Sequence, residues 1–86
     1  MKHFAGRVAV ITGAGSGFGR EFAQLAAGLE MKLVLADIDA AALEQVSGAL
    51  RDAGADVLAM VCDVSKASHV EELADAAMIR FDGVHL

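Results

Sequence analysis

Residues 8–19 read Val-Ala-Val-Ile-Thr-Gly-Ala-Gly-Ser-Gly-Phe-Gly, an apolar run that leads directly into a glycine-rich loop. The run Val8–Ile11 is short, rich in strand-forming residues and apolar throughout, which is typical of a strand buried on both faces of a parallel sheet. A second such run, Leu33–Ala36, ends in Asp37. A glycine-rich turn after one buried strand and a carboxylate closing the next are the means by which proteins hold the pyrophosphate and ribose of a dinucleotide.

Strands and helices are predicted to alternate along the chain. Short continuous apolar runs predict the strands, and apolar residues at three- and four-residue spacings predict the helices. The predicted elements in chain order are a strand at 8–11, a helix from 18 to about 30, a strand at 33–36, a helix at 40–53, a strand at 57–62, a third helix, and a turn at 82–83 that starts a fourth strand at 84–86. This order predicts an α/β fold, a Rossmann-type doubly wound parallel sheet of which β-α-β-α-β-α and the start of the fourth strand are present.

The helices carry predicted caps and predicted buried faces. Asp39 is expected to cap the second helix, which ends at Gly54. Ser65 or Ser68 is expected to cap the third, where Glu71 three residues after Ser68 fits a capping box. The apolar residues predicted to face the core are Phe18, Phe22, Leu25, Ala26 and Leu29 in the first helix, Leu43, Val46 and Leu50 in the second, and Val70, Leu73, Ala74, Ala77 and Met78 in the third.

The composition limits the partners of this chain. Its 86 residues fit a single domain, 1–86, and its net charge of −5 with scattered Lys and Arg argues against nucleic acid. There is no signal-peptide pattern and no apolar run long enough for a bilayer, and the single cysteine, Cys62, fits a reducing compartment, so we expect a cytoplasmic protein without a membrane partner. The histidines share no ligand spacing, and no metal site is predicted.

The chain is 56% hydrophobic, which is high for its length because a small domain has a large surface for its volume. In the doubly wound fold the fourth strand lies beside the first. With only a short fourth strand, the edge of the first strand is left uncovered, and such an edge promotes association. We therefore expect the chain to be part of a larger protein, or to form a homo-oligomer or another association through this edge.

The glycines of the loop have separate predicted roles. Gly13 permits the sharp turn after the first strand, Gly17 lets the backbone approach a pyrophosphate, and Gly19 lets the first helix pack tightly against the sheet. The backbone N–H groups around Ser16, Gly17 and Phe18 begin that helix, where unpaired donors and the helix dipole favour phosphate. The Ser16 hydroxyl supplies one more hydrogen-bonding group.

The loop has the spacing Thr-Gly-x-x-x-Gly-x-Gly, and it resembles the glycine motif of the short-chain dehydrogenase/reductase family. Asp63-Val64 after the third strand resembles the second signature of that family, and the resemblance extends over essentially the whole chain. It implies that Asp63 faces the amino group of an adenine and Val64 its ring. Asp37, 20 residues after Gly17, is at the spacing of a ribose-binding acid.

The resemblance implies NAD in preference to NADP. A 2′-phosphate beside Asp37 would cost on the order of a few kcal/mol at an effective dielectric constant near 20. NADP-preferring relatives carry Arg or Lys at positions that are Ser16 and Ile38 here, and Ile38 is included among the predicted cofactor-binding residues.

The implied activity is that of an NAD(H)-dependent oxidoreductase that interconverts an alcohol and a carbonyl by hydride transfer, with this chain supplying the dinucleotide-binding half. The family uses Ser, Tyr and Lys for catalysis together with an Asn, but this sequence holds neither Tyr nor Asn. No catalytic residue is therefore assigned, and the 86-residue chain alone is predicted to be inactive. The alternatives are a truncated, non-catalytic nucleotide-binding module and, with less support, an S-adenosylmethionine-dependent methyltransferase, against which Thr12-Gly13 and Asp63-Val64 count.

Several of these residues also have purely structural interpretations. The glycine loop is also explained as a tight turn without a ligand, and Asp37 as a solvated strand end. Asp63 is also explained as closing its strand through an Asx-type hydrogen bond. Cys62 is interpreted as an inert buried thiol and His69 as a structural or surface residue.

Overall fold

Three parallel strands alternate with three helices in the computed structural model, which describes residues 5–81. The elements are β1 (Val8–Thr12), α1 (Gly17–Gly28), β2 (Lys32–Asp37), α2 (Ala40–Asp52), β3 (Val57–Val61) and α3 (Ala67–Phe81). The predicted elements are confirmed within this range, with ends that differ by no more than two residues. The predicted turn at 82–83 and strand at 84–86 lie outside the described residues.

The sheet has the order β1-β2-β3, with β2 in the centre. Val8 pairs with Lys32 across the first interface, and Leu33 pairs with Val57 across the second. Residues 33–36 are fully buried because β2 has a strand on each side and a helix layer on each face. β1 and β3 are edge strands of this sheet and are buried to a smaller extent.

The helices lie on both faces of the sheet, which is the doubly wound arrangement of a Rossmann fold. On one face α1 and α2 pack against Leu33 and Leu35 of β2. On the other face α3 packs against Val34 and Ala36. The alternation of side chains along β2 therefore supplies both cores. Among residues 5–81 there is no helix with the length and apolar character that a membrane crossing requires.

The ends of α2 follow the sequence prediction. The Asp39 carboxylate accepts the backbone N–H of Ala42 at 3.1 Å, so Asp39 is the N-cap. After the helix, Gly54 adopts φ +97° and its N–H donates to the carbonyl of Arg51, while the N–H of Ala55 donates to that of Leu50. These two bonds form a Schellman motif, which requires a left-handed residue at the position of Gly54.

The end of α1 has the same two hydrogen bonds but no glycine. The N–H of Glu30 donates to the carbonyl of Ala27 and that of Met31 to Ala26. Glu30 occupies the left-handed position with φ 61°. A side chain in this conformation costs conformational free energy that glycine does not.

The predicted cap of α3 was wrong. The helix begins at Ala67, so Lys66 is the residue before it, and Ser68 already lies in its first turn. Ser65 instead donates to the carboxylate of Asp63. The local side-chain bonds of the preceding loop therefore set the start of α3, and no capping box defines it.

The predicted buried faces were right for α2 and only partly right for α1 and α3. Leu43, Val46 and Leu50 of α2 are all buried. In α1, Ala23 and Ala26 face the sheet, whereas three of the predicted residues are mostly exposed, namely Phe18 (80%), Phe22 (59%) and Leu25 (60%). In α3 the buried residues are Leu73, Ala77 and Phe81, and Val70, Ala74 and Met78 are exposed.

The exposed apolar residues of α1 and α3 border two grooves along β1. Phe22 and Leu25 line a groove between α1 and β1 on one face of the sheet. Val70 and Met78 line a second groove, between α3 and β1, on the other face. The outer residues of the predicted apolar faces of α1 and α3 therefore lie beyond the unpaired edge of β1. No other part of residues 5–81 covers them.

Candidate functional site

The loops that follow β1, β2 and β3 meet at the carboxyl-terminal edge of the sheet. A cavity of about 160 Å³ opens there, lined by Gly13, Asp37, Ile38, Cys62, Asp63 and Val64. Five of these six residues are ones that the sequence predicted for a binding site, and the sixth, Cys62, is a buried free thiol. The fold thus brings residues 50 positions apart in sequence into one pocket, as parallel strands do at a shared edge.

Two glycines of the loop owe their identity to different constraints. Gly13 has φ +65°, in the left-handed region, although open space surrounds the position of an added Cβ. Gly19 has no such dihedral, but an added Cβ would overlap the Gly13 carbonyl, lying 2.6 Å from its carbon. The first turn of α1 therefore packs directly on the backbone of the loop. This geometry confirms the predicted sharp turn at Gly13, and it places the close contact of Gly19 against the loop after β1, whereas the prediction had placed it against the sheet.

Gly15 connects the glycine loop with Asp37 and with α2, and no role was predicted for it from the sequence. Its N–H donates to Oδ2 of Asp37 at 2.8 Å. An added Cβ would lie 2.8 Å from that same oxygen and 2.8 Å from Cβ of Ala42 in α2. Gly15 stands at a variable position of the Thr-Gly-x-x-x-Gly-x-Gly spacing, and its partners are 22 or more positions away, so no local pattern indicated its role.

The carboxylate of Asp37 is held by two backbone amides. Oδ2 accepts from Gly15, and Oδ1 accepts from the N–H of Asp39 at 2.9 Å. Each carboxylate oxygen has a second lone pair, so the half-buried group can still accept hydrogen bonds from a ligand. Ile38 beside it is exposed and apolar, so the chain places no cation directly after the carboxylate.

The N-terminus of α1 opens at the same edge without a side-chain cap. Ser16 is the N-cap residue, with extended backbone, and its hydroxyl makes no capping hydrogen bond. The first turn of α1 contains no acidic residue. The N–H groups that begin a helix lack partners within it, and here Gly17, with φ +58°, and the exposed Phe18 begin the turn. This end of the helix suits an anionic group.

Asp63 makes the Asx-type bonds that the structural interpretation anticipated. Its Oδ1 accepts the N–H of Ser65 at 3.0 Å and the hydroxyl of Ser65 at 2.6 Å. The Ser65 hydroxyl, followed by the Ser65 amide, holds the pKa of Asp63 below its usual 3.8, with smaller contributions from Lys66 and His69. The carboxylate is therefore charged at neutral pH. Among the described residues no hydrogen bond uses Oδ2, which remains available to a ligand.

The backbone N–H of Asp63 donates to Nδ1 of His69 at 3.1 Å. The sequence indicates a structural or surface role for His69, and its contact with this loop was not predicted. No spacing rule could have found the contact, because it crosses from the loop into the first turn of α3. Within residues 5–81, no three His, Cys, Asp or Glu side chains come close enough to hold a metal ion.

The profile of the short chain dehydrogenase family matches residues 7–86. This chain belongs to the short-chain dehydrogenase family. A dehydrogenase/reductase of CLA biosynthesis from Lactiplantibacillus plantarum is 41% identical over 86 residues, which are 100% of this chain and 30% of that protein. The family consists of oxidoreductases, so its match leaves the methyltransferase alternative without support.

Two solved structures of short-chain dehydrogenases show the same fold. An enzyme from Burkholderia phymatum in complex with NAD is 56% identical, with a TM-score of 0.95 over 99% of this chain and 30% of its own. A metagenomic short-chain oxidoreductase in complex with NADP is 27% identical, with a TM-score of 0.87 over 95% of this chain and 37% of its own. The chain thus spans about a third of the length of the relatives that it matches.

Proposed function

We propose that this chain is the dinucleotide-binding half, residues 1–86, of an NAD(H)-dependent short-chain dehydrogenase that interconverts an alcohol and a carbonyl. The observation that carries the proposal is the position of the Asp37 carboxylate, held by the Gly15 amide beside the uncapped N-terminus of α1. One element accepts ribose hydroxyls and the other binds phosphate, and they lie at one edge of the sheet.

The pyrophosphate would lie at the N-terminus of α1. Gly17 would contribute its backbone N–H. Because nothing lies within 4 Å of an added Cβ at Gly17, the space beside this residue is open to a ligand. The Ser16 hydroxyl is exposed and free of a capping bond, so it can donate to a phosphate oxygen or a ribose hydroxyl. Phe18 and Gly19 continue the turn that presents these donors.

The preference for NAD over NADP rests on the charge at the ribose position. Asp37 accepts hydrogen bonds from ribose hydroxyls, whereas a 2′-phosphate would bring like charge against it. Ser16 and Ile38 supply no cation to offset that charge. The NAD complex of the Burkholderia phymatum relative supports this choice, and the NADP complex of the metagenomic relative is why it needs a direct test.

The adenine would lie between the second and third loops. Oδ2 of Asp63 would accept a hydrogen bond from its amino group, and the exposed Val64 would contact its ring. The pocket that these residues share with Gly13 and Asp37 has a wall of mixed polar and apolar character, as a nucleobase site requires.

Hydride transfer would depend on groups outside residues 1–86. The chain contains no Tyr and no Asn, so the acid/base and relay groups of the family are not in it, and catalytic residues are left unassigned. Bound NAD would supply the hydride chemistry, and this chain would orient it. The apolar grooves on both sides of β1 support the proposal that further parts of a dehydrogenase fold, or another copy, cover this edge. A non-catalytic nucleotide-binding module remains the alternative, supported by the same composition.

Titration calorimetry with NAD and NADP tests the proposal. We expect NAD to bind more tightly than NADP, and Asp37→Asn to weaken NAD binding by about tenfold or more, as loss of hydrogen bonds to a charged group does. Asp39→Asn is the matched control, because Asp39 lies two residues away and caps α2. Its NAD affinity should equal that of the wild type. Tighter binding of NADP, or no heat with either coenzyme, would overturn the proposal.

A further inference from the structure

Asp63 is fixed by hydrogen bonds at every polar group except one carboxylate oxygen. Its carbonyl accepts the N–H of Lys66 at 3.0 Å, and its Oδ1 accepts both Ser65 donors. These three bonds join residues within the loop before α3, so they do not fix the orientation of the loop relative to that helix. The fourth, from the Asp63 N–H to Nδ1 of His69, ties the loop to a side chain of α3.

This fourth bond requires a neutral imidazole. Nδ1 accepts a hydrogen bond from the Asp63 amide, so the proton of the neutral ring is on Nε2. When the ring is protonated, Nδ1 becomes a donor that faces another donor, and the bond is lost. Histidine side chains change charge between about pH 5 and 8, so this bond can break in a range where the carboxylates of the site stay charged.

The charged groups around His69 come from the loop and from α3. The loop contributes the carboxylate of Asp63 and the ammonium group of Lys66. α3 contributes its positive N-terminal end, where His69 is the third residue, and Glu72 one turn further on. The buried Cys62 follows the end of β3 and directly precedes Asp63. A protonated His69 ring would therefore lose the hydrogen bond from the Asp63 amide, and it would compete with a ligand for the Asp63 carboxylate.

We infer that His69 is a positioning residue for the adenine end of the coenzyme site. Neutral His69 holds the Asp63 backbone so that its free carboxylate oxygen faces the pocket, and protonation of the ring releases the loop and weakens coenzyme binding. This inference rests on the proposed dinucleotide function and adds to it a residue that touches no coenzyme atom itself.

The test is the affinity for NADH, followed by its fluorescence, at about pH 7.5 and pH 5.5. His69→Asn keeps an acceptor at the position of Nδ1 but cannot gain a proton. His69→Ala removes the acceptor. A double variant, His3→Asn with His85→Asn, controls for the other two histidines of the chain.

The wild type and the double control should lose about two- to tenfold more affinity on acidification than His69→Asn, the range of one net hydrogen bond. His69→Asn should match the wild type at pH 7.5, and His69→Ala should bind weakly at both pH values. A structural role alone would not give rescue by Asn together with loss of the pH dependence.

Amide NMR separates the two ways in which the idea can fail. The Asp63 amide resonance should shift with the titration of the His69 ring in the wild type and stay constant in His69→Asn. Equal pH dependence of NADH binding in wild type and His69→Asn would overturn the role of His69 and leave the proposed function standing. Absence of NADH binding at both pH values would overturn the proposed function, and the inference with it.

Discussion

The helices α2 and α1 carry similar apolar stripes but differ in what covers them. In α2 the stripe packs over β2 and β3, and Leu43 is only 3% exposed. In α1, Leu25 of the apolar stripe is 60% exposed, and small alanines make the contact with the sheet. Periodicity therefore identifies the face that a helix uses for packing, whereas burial depends on whether the neighbouring element is present.

The two edges of the sheet show the same contrast. At β3, the guanidinium of Arg51 in α2 donates to the carbonyl of Val57 at 3.3 and 3.4 Å and covers part of that edge. At β1, apolar grooves lie on both faces of the strand. An apolar edge with grooves on both sides favours association, whereas a covered edge resists it. Among the described residues, the uncovered apolar grooves thus lie on the β1 side of the sheet.

The largest difference between α1 and α2 is expected at their internal glycines. Gly19→Ala in α1 should destabilise the fold by about 3 kcal/mol or more, because the new Cβ would overlap the Gly13 carbonyl and displace the helix. Gly48→Ala in α2 meets open space and should stabilise it by up to about 1 kcal/mol. Urea unfolding followed by circular dichroism measures both, since the chain has no Trp or Tyr. Equal effects would mean that α1 does not pack on the loop.

The next largest difference in the free energy of unfolding is expected between substitutions of the buried Leu43 and the exposed Leu25. Leu43→Ala should lower the free energy of unfolding by about 2–5 kcal/mol, because it leaves a cavity in the core. Leu25→Ala should cost less than about 1 kcal/mol, because most of that side chain is already in water. The same unfolding measurement compares them. A large cost at Leu25 would reveal that its groove is occupied in solution, for instance by a second copy.

The smallest expected difference lies at the C-terminal ends of the two helices. Glu30→Gly should stabilise the protein by up to about 1 kcal/mol, because glycine adopts the left-handed conformation at no steric cost. Gly54→Ala should destabilise it by a similar amount for the same reason. Thermal unfolding checks this, because the melting temperature should rise in Glu30→Gly and fall in Gly54→Ala. Changes of the same sign would show that the two ends are not equivalent Schellman motifs.

The sequence predicted the elements within residues 5–81, the caps of α2 and five of the six residues that line the pocket, because each rests on a local pattern. The apolar runs fix the strands, and Asp37 and Asp63 each follow one directly. It did not predict that Phe22 and Leu25 would be exposed, since that depends on what lies beyond β1. Nor did it identify Gly15, whose partner Asp37 lies in a separate loop, or His69, whose contact with Asp63 depends on how α3 follows its preceding loop.

The bond between Gly15 and Asp37 limits how the coenzyme preference of this protein can be redesigned. A replacement that only removes the acid to admit a 2′-phosphate would also take away the support of the Gly15 amide in the phosphate loop. A design for NADP should therefore keep a neutral acceptor at position 37, as in Asp37→Asn, and introduce the cation next to it with Ile38→Arg. Selectivity and loop geometry are then altered separately.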